Sequence, residues 1–274
     1  MAQAARRLTG AGSPSGRLEA ELLLGHVLGV SRVELLTHPE LPVNCEAERQ
    51  FQRLLARREA AEPVAYLLGE REFYGHVFQC DRRALIPRPE TELLVDIGRA
   101  AVERWRANGV EPHVVDVGTG CGAIGISVAA ECRIQILGTD VSLEALSLAR
   151  DNALRLGAGL RLVNADLLRG LRGPLHVVLA NLPYVPSARV LPADVREYEP
   201  HVAIFGGPRG TELIERLLTE AAPLLAAGGE IAVELDEEEQ ASPIADLGRR
   251  LYPSAAVQIC QDAGGYDRVV HITT

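Results

Sequence analysis

Apolar residues recur at helical spacing from Leu18 to Leu36, among them Leu22, Leu23, Val27, Leu28 and Leu35, and the pattern resumes at Phe51, Leu54 and Leu55. This predicts a small helical domain. Pro63 then opens a stretch through Tyr66, Gly69, Phe73, Gly75 and Phe78, whose glycines and alternating aromatics predict a turn and a short hairpin acting as a linker. Helical period returns from Glu90 to Ala107. Beyond it, short apolar runs rich in β-branched residues predict strands at Val114–Val117, Ile134–Gly138, Leu160–Val163, Val177–Ala180, Glu230–Leu235, Val257–Cys260 and Val269–Ile272, with helices between most of them. Such βαβ alternation implies an α/β fold with a mostly parallel sheet covered on both faces, and ligands bind such sheets beyond the carboxyl ends of the strands. The boundaries read as 1–72 for the helical domain, 73–85 for the hairpin linker and 86–274 for the α/β domain. The acidic run Asp236–Glu239 is expected to begin a helix, where negative charge suits the dipole.

Composition narrows the chemistry. The 274 residues, 47% of them hydrophobic, suffice for an α/β domain and a smaller companion. A net charge of -9 argues against broad binding to a phosphate backbone, so no direct nucleic-acid partner is expected. All 28 basic residues are Arg, which removes Schiff-base chemistry and a phosphate-loop lysine from consideration. Five scattered cysteines, Cys45, Cys80, Cys121, Cys132 and Cys260, show neither metal nor disulfide spacing. His76, His113, His176 and His201 have no ligand-spaced partners and read as structural, so no metal is expected. No apolar run approaches the roughly 18 residues that span a bilayer, and Met1 to Gly10 lacks the apolar core of a secretory signal. Arg6 and Arg7 fit a transit peptide poorly, because the helical pattern starts so soon after them. A cytoplasmic monomer is the expectation.

The chemistry gathers at strand ends. The first strand of the α/β region ends in Asp116-Val117-Gly118-Thr119-Gly120-Cys121-Gly122, and the second ends at Asp140, where a carboxylate can accept from both hydroxyls of a ribose. A nucleoside site is implied. Gly120 to Gly125 also fits the dinucleotide fingerprint, so the loop alone does not choose between NAD and S-adenosylmethionine, and some such turns only pack. Asp116 reads either as a cap for the turn or as a partner for a ligand amino group. Asp166, after the third strand, reads equally as a helix cap or as a receptor for an adenine amino group, with Leu167 covering the ring. The fourth strand runs into Asn181-Leu182-Pro183-Tyr184 at the same edge. A planar amide nitrogen is a poor nucleophile, since its lone pair is delocalised; the Asn181 side-chain oxygen and the Leu182 carbonyl can each accept one N–H and aim the nitrogen at a methyl donor, while Tyr184 packs on the planar group.

On these residues the chain resembles the protein-glutamine N5-methyltransferases that modify peptide chain release factors. The resemblance covers nearly the whole chain and extends to Pro63–Gly69, Phe73–Phe78, Ile86-Pro87-Arg88-Pro89-Glu90-Thr91-Glu92, Tyr198-Glu199-Pro200, Phe205-Gly206-Gly207 and Asp262–Val269. It implies a Rossmann-like class I methyltransferase domain with a seven-stranded sheet, an N-terminal helical domain that recognises the release factor, S-adenosylmethionine as cofactor, and a substrate glutamine within Gly-Gly-Gln. By matching position, Gly118, Thr119, Gly120, Cys121, Gly122, Asp140, Leu167 and Asn181 would contact the cofactor, and Asn181, Leu182, Pro183 and Tyr184 would hold the glutamine. Two positions depart from the family pattern: Leu182 stands where the family usually has Pro, and Asp236 where Gly is common. Leu182 keeps its carbonyl and, preceding Pro183, stays biased toward extended backbone.

Four rivals share parts of this pattern. A DNA or RNA amino-methyltransferase would use the same site logic but suits neither the acidic balance nor the short chain. A glutamine methyltransferase of a ribosomal protein shares almost every motif. An NAD-dependent oxidoreductase explains the glycine loop but leaves Asn181 to Tyr184 without a task. A non-catalytic binding module rests on Leu182 alone.

Overall fold

A computed structural model describes residues 1–236 and 238–274, which divide into two compact units, one of residues 1–70 with 191–199 and one of residues 71–190 with 200–274. The first unit contains α1 (Ala2–Gly10), α2 (Gly16–Leu28), α3 (Arg32–Thr37), α4 (Cys45–Glu59) and α5 (Val64–Leu68). Its core is Leu8, Leu23, Leu24, Phe51, Leu55 and Leu67. The apolar run from Leu18 to Leu36 is not one helix: Gly29 takes a left-handed conformation that ends α2, and the Ser31 hydroxyl accepts from the Glu34 N–H to start α3. The Asn44 side chain caps α4 by accepting from the Glu46 and Ala47 N–H groups. Helix α1 escapes the apolar pattern because only Ala4 and Leu8 are buried in it. Arg58 grips the buried Glu19 with two hydrogen bonds of 2.9 and 3.1 Å. The later segment adds α9 (Ala193–Tyr198), and the Tyr198 hydroxyl donates to the Ala60 carbonyl at 2.8 Å.

A hairpin follows, β1 (Glu70–Phe73) and β2 (His76–Gln79), turning on Tyr74 and Gly75, both with positive φ. The stretch from Pro63 therefore holds a helical turn, α5, before the hairpin expected there.

The second unit is built on a seven-stranded sheet in the order β10-β11-β9-β6-β3-β4-β5. Its strands are β3 (Val114–Val117), β4 (Ile136–Asp140), β5 (Leu160–Asn164), β6 (Leu175–Ala180), β9 (Leu225–Glu234), β10 (Ala256–Gln261) and β11 (Asp267–Thr273), and only β11 runs against the others. One face carries α6 (Glu92–Ala107), α7 (Ala123–Cys132) and α8 (Leu143–Leu156), the other α10 (Glu212–Ala221) and α11 (Glu238–Leu251). Alternation in β6 shows why: Val177 and Leu179 join the first core while Val178 and Ala180 join the second, so every residue of the strand is buried. The seven-stranded, mostly parallel sheet matches the fold the resemblance implies.

Boundaries differ in three places. Arg133 in left-handed conformation closes α7, so Ile134 lies in the connection and β4 starts at Ile136. Strand β9 begins at Leu225, earlier than Glu230, and ends at Glu234 with Leu235 outside it. Residues Pro89–Thr91 form a 3-10 turn ahead of α6. The acidic run Asp236–Glu239 enters α11 at Glu238, and Glu237 lies outside the described residues. A short parallel pair, β7 (Val185–Pro186) with β8 (Phe205–Gly207), sits just beyond the sheet edge and has no counterpart in the sequence reading. Among the described residues no helix is long and apolar enough to cross a membrane, and none of the five cysteines is in a disulfide.

Candidate active site

The carboxyl ends of β3, β4 and β6 converge on a cavity of about 290 Å³. Gly118, Thr119, Gly120 and Cys121 form one wall, Asp140 with Val141 and Ser142 a second, Asp166 and Leu167 a third, and Asn181, Leu182 and Pro183 a fourth. Asp116, Gly122 and Tyr184 are not part of its lining, so ten of the residues singled out from sequence meet around one space and three stand behind it.

The glycine loop holds itself together. Gly118 has φ +71°, and a Cβ there would come within 2.8 Å of the Leu182 side chain, so the absence of a side chain lets the loop and the fourth-strand segment touch. Asp116 is fully buried beneath the loop, where its Oδ2 accepts from the Thr119 hydroxyl at 2.6 Å and from the Gly125 N–H at 2.9 Å. Its other oxygen has no hydrogen-bond partner among the described residues, and burial pushes the carboxyl up to about 6. The side chain thus caps the loop and the start of α7 and does not face the cavity. Gly122 has φ +87° and is the N-cap of α7. Burial likewise pushes the Cys121 thiol up to about 12, which leaves it un-nucleophilic.

Asp140 faces the cavity with its geometry already set. Its Oδ2 accepts from Gly120 N–H and its Oδ1 from Ser142 N–H, both at 2.9 Å. A carboxylate has about four acceptor sites, so two remain for a vicinal diol. Burial raises its pKa, and the backbone N–H groups of Ser142 and Gly120 oppose that rise. Asp166 sits in a turn, its carbonyl accepting from Arg169 N–H, and no helix follows it to be capped. Its side chain pairs with Arg216 at 2.8 Å, and Leu167 beside it is buried with φ +53°.

The Asn181–Tyr184 segment is held from farther away. Asn181 donates from Nδ2 to the Thr91 hydroxyl oxygen at 2.9 Å, which leaves its Oδ1 to accept. Leu182 is buried against Gly118. The Tyr184 hydroxyl donates to Glu234 Oε1 at 3.2 Å and its carbonyl accepts from Gln240 Nε2 at 2.9 Å, so the ring is directed toward the end of β9. Gly210, with φ +82°, lies directly against the Tyr184 carbonyl, and a Cβ there would collide with it. Glu234 is buried, which pushes its carboxyl up to about 7 against the pull of the Thr91 and Tyr184 hydroxyls. Asp236, the second departure, gives its side chain to Arg189 and its carbonyl to Arg268 at 2.6 Å, so the turn after β9 is pinned from two sides.

Sequence reasoning gave no task to Thr91, Glu234, Gln240 or Gly210. Only Thr91 carried a signal, through the distinctive Ile86–Glu92 stretch, of which Ile86, Pro87 and Arg88 also line the cavity. No described histidine lines the cavity: His113 and His176 meet edge to face, His176 also meets Trp105 edge to face, and His201 meets Phe205, a lining residue, in the same way. Among the described residues no group of three or more His, Cys, Asp or Glu is arranged to hold a metal ion.

Comparison with known proteins places this geometry. Residues 1–69 match the family described as PrmC N-terminal domain, and residues 93–194 match the Methyltransferase small domain. The chain is 39% identical to the release factor glutamine methyltransferase of Deinococcus radiodurans over 90% of this chain and 88% of the relative. It is 38% identical to the enzyme of the same name from Moorella thermoacetica, over 98% and 95%. Among solved structures, the Thermus thermophilus 16S rRNA N2 G1207 methyltransferase, in complex with AdoMet and guanosine, matches with a TM-score of 0.52 at 15% identity, over 75% of this chain and 49% of the other. At that identity the likeness concerns the fold, which is that of the class I methyltransferases.

Proposed function

The chain belongs to the release factor glutamine methyltransferase family, and from that premise we propose that it methylates the side-chain amide nitrogen, N5, of the glutamine in the Gly-Gly-Gln motif of a peptide chain release factor, with S-adenosylmethionine as the donor. The observation that carries this is the Asn181 amide, fixed by Thr91 so that its oxygen is left to accept, beside the glycine loop and Asp140. The residues fit the cofactor. Asp140 retains two acceptor sites for the ribose hydroxyls, Gly118 to Cys121 bring bare backbone to the cavity wall, and Leu167 offers an apolar surface for the adenine. Asp166 would meet the adenine amino group with the oxygen it does not give to Arg216.

Bound S-adenosylmethionine supplies an electrophilic methyl group on a sulfonium. The protein's part is to present a nitrogen to it. Asn181 Oδ1 and the Leu182 carbonyl each accept one N–H of the glutamine amide, which fixes the plane of the NH2 and turns its lone pair toward the methyl carbon. Both acceptors gain as the nitrogen becomes positively charged during transfer, so they act in the transition state more than in the ground state. As the N–C bond forms, the S–CH3 bond would break to leave a neutral thioether, and the nitrogen would release one proton to solvent to give the N5-methyl amide. Pro183 and Tyr184 hold the segment's backbone in place. We assign selection of the release factor to the N-terminal helical unit, and a translation-related reaction is consistent with a cytoplasmic protein whose cysteines stay reduced.

The test is incubation of the purified protein with labelled S-adenosylmethionine and, separately, release factor, ribosomal protein and nucleic acid, with the label mapped by mass spectrometry. Label on the Gly-Gly-Gln glutamine is the expected result. Label on nucleic acid alone would overturn the substrate assignment.

A further inference from the structure

The acidic run Asp236-Glu237-Glu238-Glu239 stops at a neutral amide, Gln240. Three backbone groups explain why an amide stands there. Gln240 is buried in the first turn of α11, where its Nε2 donates to the Tyr184 carbonyl at 2.9 Å and to the Arg209 carbonyl at 3.4 Å, while its Oε1 accepts from the Asp236 N–H at 3.3 Å. Two carbonyls call for two N–H donors and the Asp236 N–H calls for an acceptor; a side-chain amide offers both, whereas a carboxylate in the same place offers acceptors alone. A reversed amide would set its oxygen against two carbonyls, so the surroundings fix which end is which.

We propose that Gln240 is a positioning residue for methyl transfer: it fixes the downstream end of the Asn181–Tyr184 segment and through it the direction of the Leu182 carbonyl. This rests on the function proposed above. The segment is four residues long and anchored on both sides. Upstream it continues β6, which ends at Ala180 inside the sheet. Downstream, the Tyr184 carbonyl is taken by Gln240, and the Val185 N–H donates to the Ile204 carbonyl at 3.0 Å. Between these anchors the ring of Pro183 locks its own φ, so few soft torsions remain, and a shift at the Tyr184 carbonyl is passed back to the Leu182 carbonyl two residues earlier. The neighbouring backbone leaves no slack to absorb such a shift. A Cβ on Gly206 would lie 2.2 Å from the Pro183 oxygen, and one on Gly210 would lie 2.0 Å from the Tyr184 oxygen and 2.9 Å from Gln240 Nε2. The Tyr184 hydroxyl donates to Glu234 at 3.2 Å, so the last residue of β9 and the first turn of α11 grip the two ends of one residue.

Two variants of the full chain test this, assayed on release factor with S-adenosylmethionine over a range of pH. Gln240→Met keeps the length and removes both donors; kcat should fall by about ten- to a hundredfold, with KM for S-adenosylmethionine within about twofold. Gln240→Glu keeps an acceptor for the Asp236 N–H, but its carboxyl can donate to the Tyr184 carbonyl only when protonated. Burial against two carbonyls favours the protonated form, so kcat of Gln240→Glu should climb toward the wild-type value as the pH falls, which Gln240→Met cannot do. The titratable groups nearby, Glu234 and Asp236 among them, are common to all three proteins, so activities are compared as ratios to wild type at each pH. A second readout needs no substrate: with 15N-labelled glutamine, the Gln240 side-chain NH2 should exchange slowly with solvent in the wild type. Wild-type kcat in Gln240→Met, a loss confined to cofactor affinity, a Gln240→Glu deficit that tracks that of Gln240→Met at every pH, or rapid exchange of the Gln240 NH2 would overturn the proposal. Should the wild type fail to label release factor glutamine, the function proposed above falls, and the exchange measurement still decides whether Gln240 holds the Tyr184 carbonyl.

Discussion

The two halves of the cavity are built by opposite means. In the glycine loop, Asp116 reaches residues 3 and 9 positions away, and Asp140 reaches one 20 back and one 2 ahead. In the acceptor segment, Asn181 is held by a residue 90 positions earlier, and Tyr184 by residues 50 and 56 positions later. A loop held by its own neighbours takes shape as its strand and helix form, so damage there should appear as lost stability or lost cofactor affinity. A segment held by remote side chains owes its orientation to the finished fold, so damage there should appear in kcat.

The sharpest break comes from Asn181→Ala, which removes the acceptor proposed to act in the transition state; kcat should fall by about 10²- to 10³-fold, with KM for S-adenosylmethionine nearly unchanged, as steady-state kinetics would show. Next is the glycine loop's buried carboxylate. Because folding raises Asp116 from 3.8 to about 6, the native state holds the proton more tightly than the unfolded chain, and its contribution to stability is present below about pH 4 and lost as pH rises through 6. Asp116→Asn should remove about 3 kcal/mol of that decline, read as flatter denaturation midpoints between pH 4 and pH 8. Gly210→Ala tests the acceptor side through backbone alone: a methyl group against the Tyr184 carbonyl at a positive φ should cost about 1–3 kcal/mol in melting experiments and lower kcat with it. The smallest effect is expected from Leu182→Pro. The carbonyl proposed to accept the substrate N–H survives, so activity should stay within about fivefold, and a total loss would break the assignment of that carbonyl.

The same contrast explains what could be read from the sequence. The sheet was legible because β3 and β6 are buried on both faces, which makes them apolar runs interrupted by a single polar residue each, Asp116 and His176. The glycine loop was legible because its partners are close together in the chain. Helix α1 was not, since two buried residues in nine leave no periodicity, nor was the break at Gly29, where apolar residues continue on both sides of a left-handed turn. The β7–β8 pair joins residues about twenty positions apart through two or three residues each, too short for alternation to show. Asp116 stood in the motif and invited a ligand role, yet its Oδ2 is given to the loop and the residue is buried behind the cavity lining; spacing reveals that an acidic residue is present but not which way it turns. Thr91 and Glu234 lie at the ends of elements that meet only once the sheet is assembled.

The segment Leu191–Glu199 leaves the catalytic unit just after the acceptor segment and joins the N-terminal unit, where Tyr198 bonds to Ala60, before the chain returns at Pro200. The N-terminal unit is therefore not a detachable module. A chain begun at Arg71 would keep that excursion and lose the surface it docks on, and a helical unit borrowed from a relative would have to be exchanged together with residues 191–199. Recombination that respects the boundary near residue 70 alone would separate two pieces of one building block.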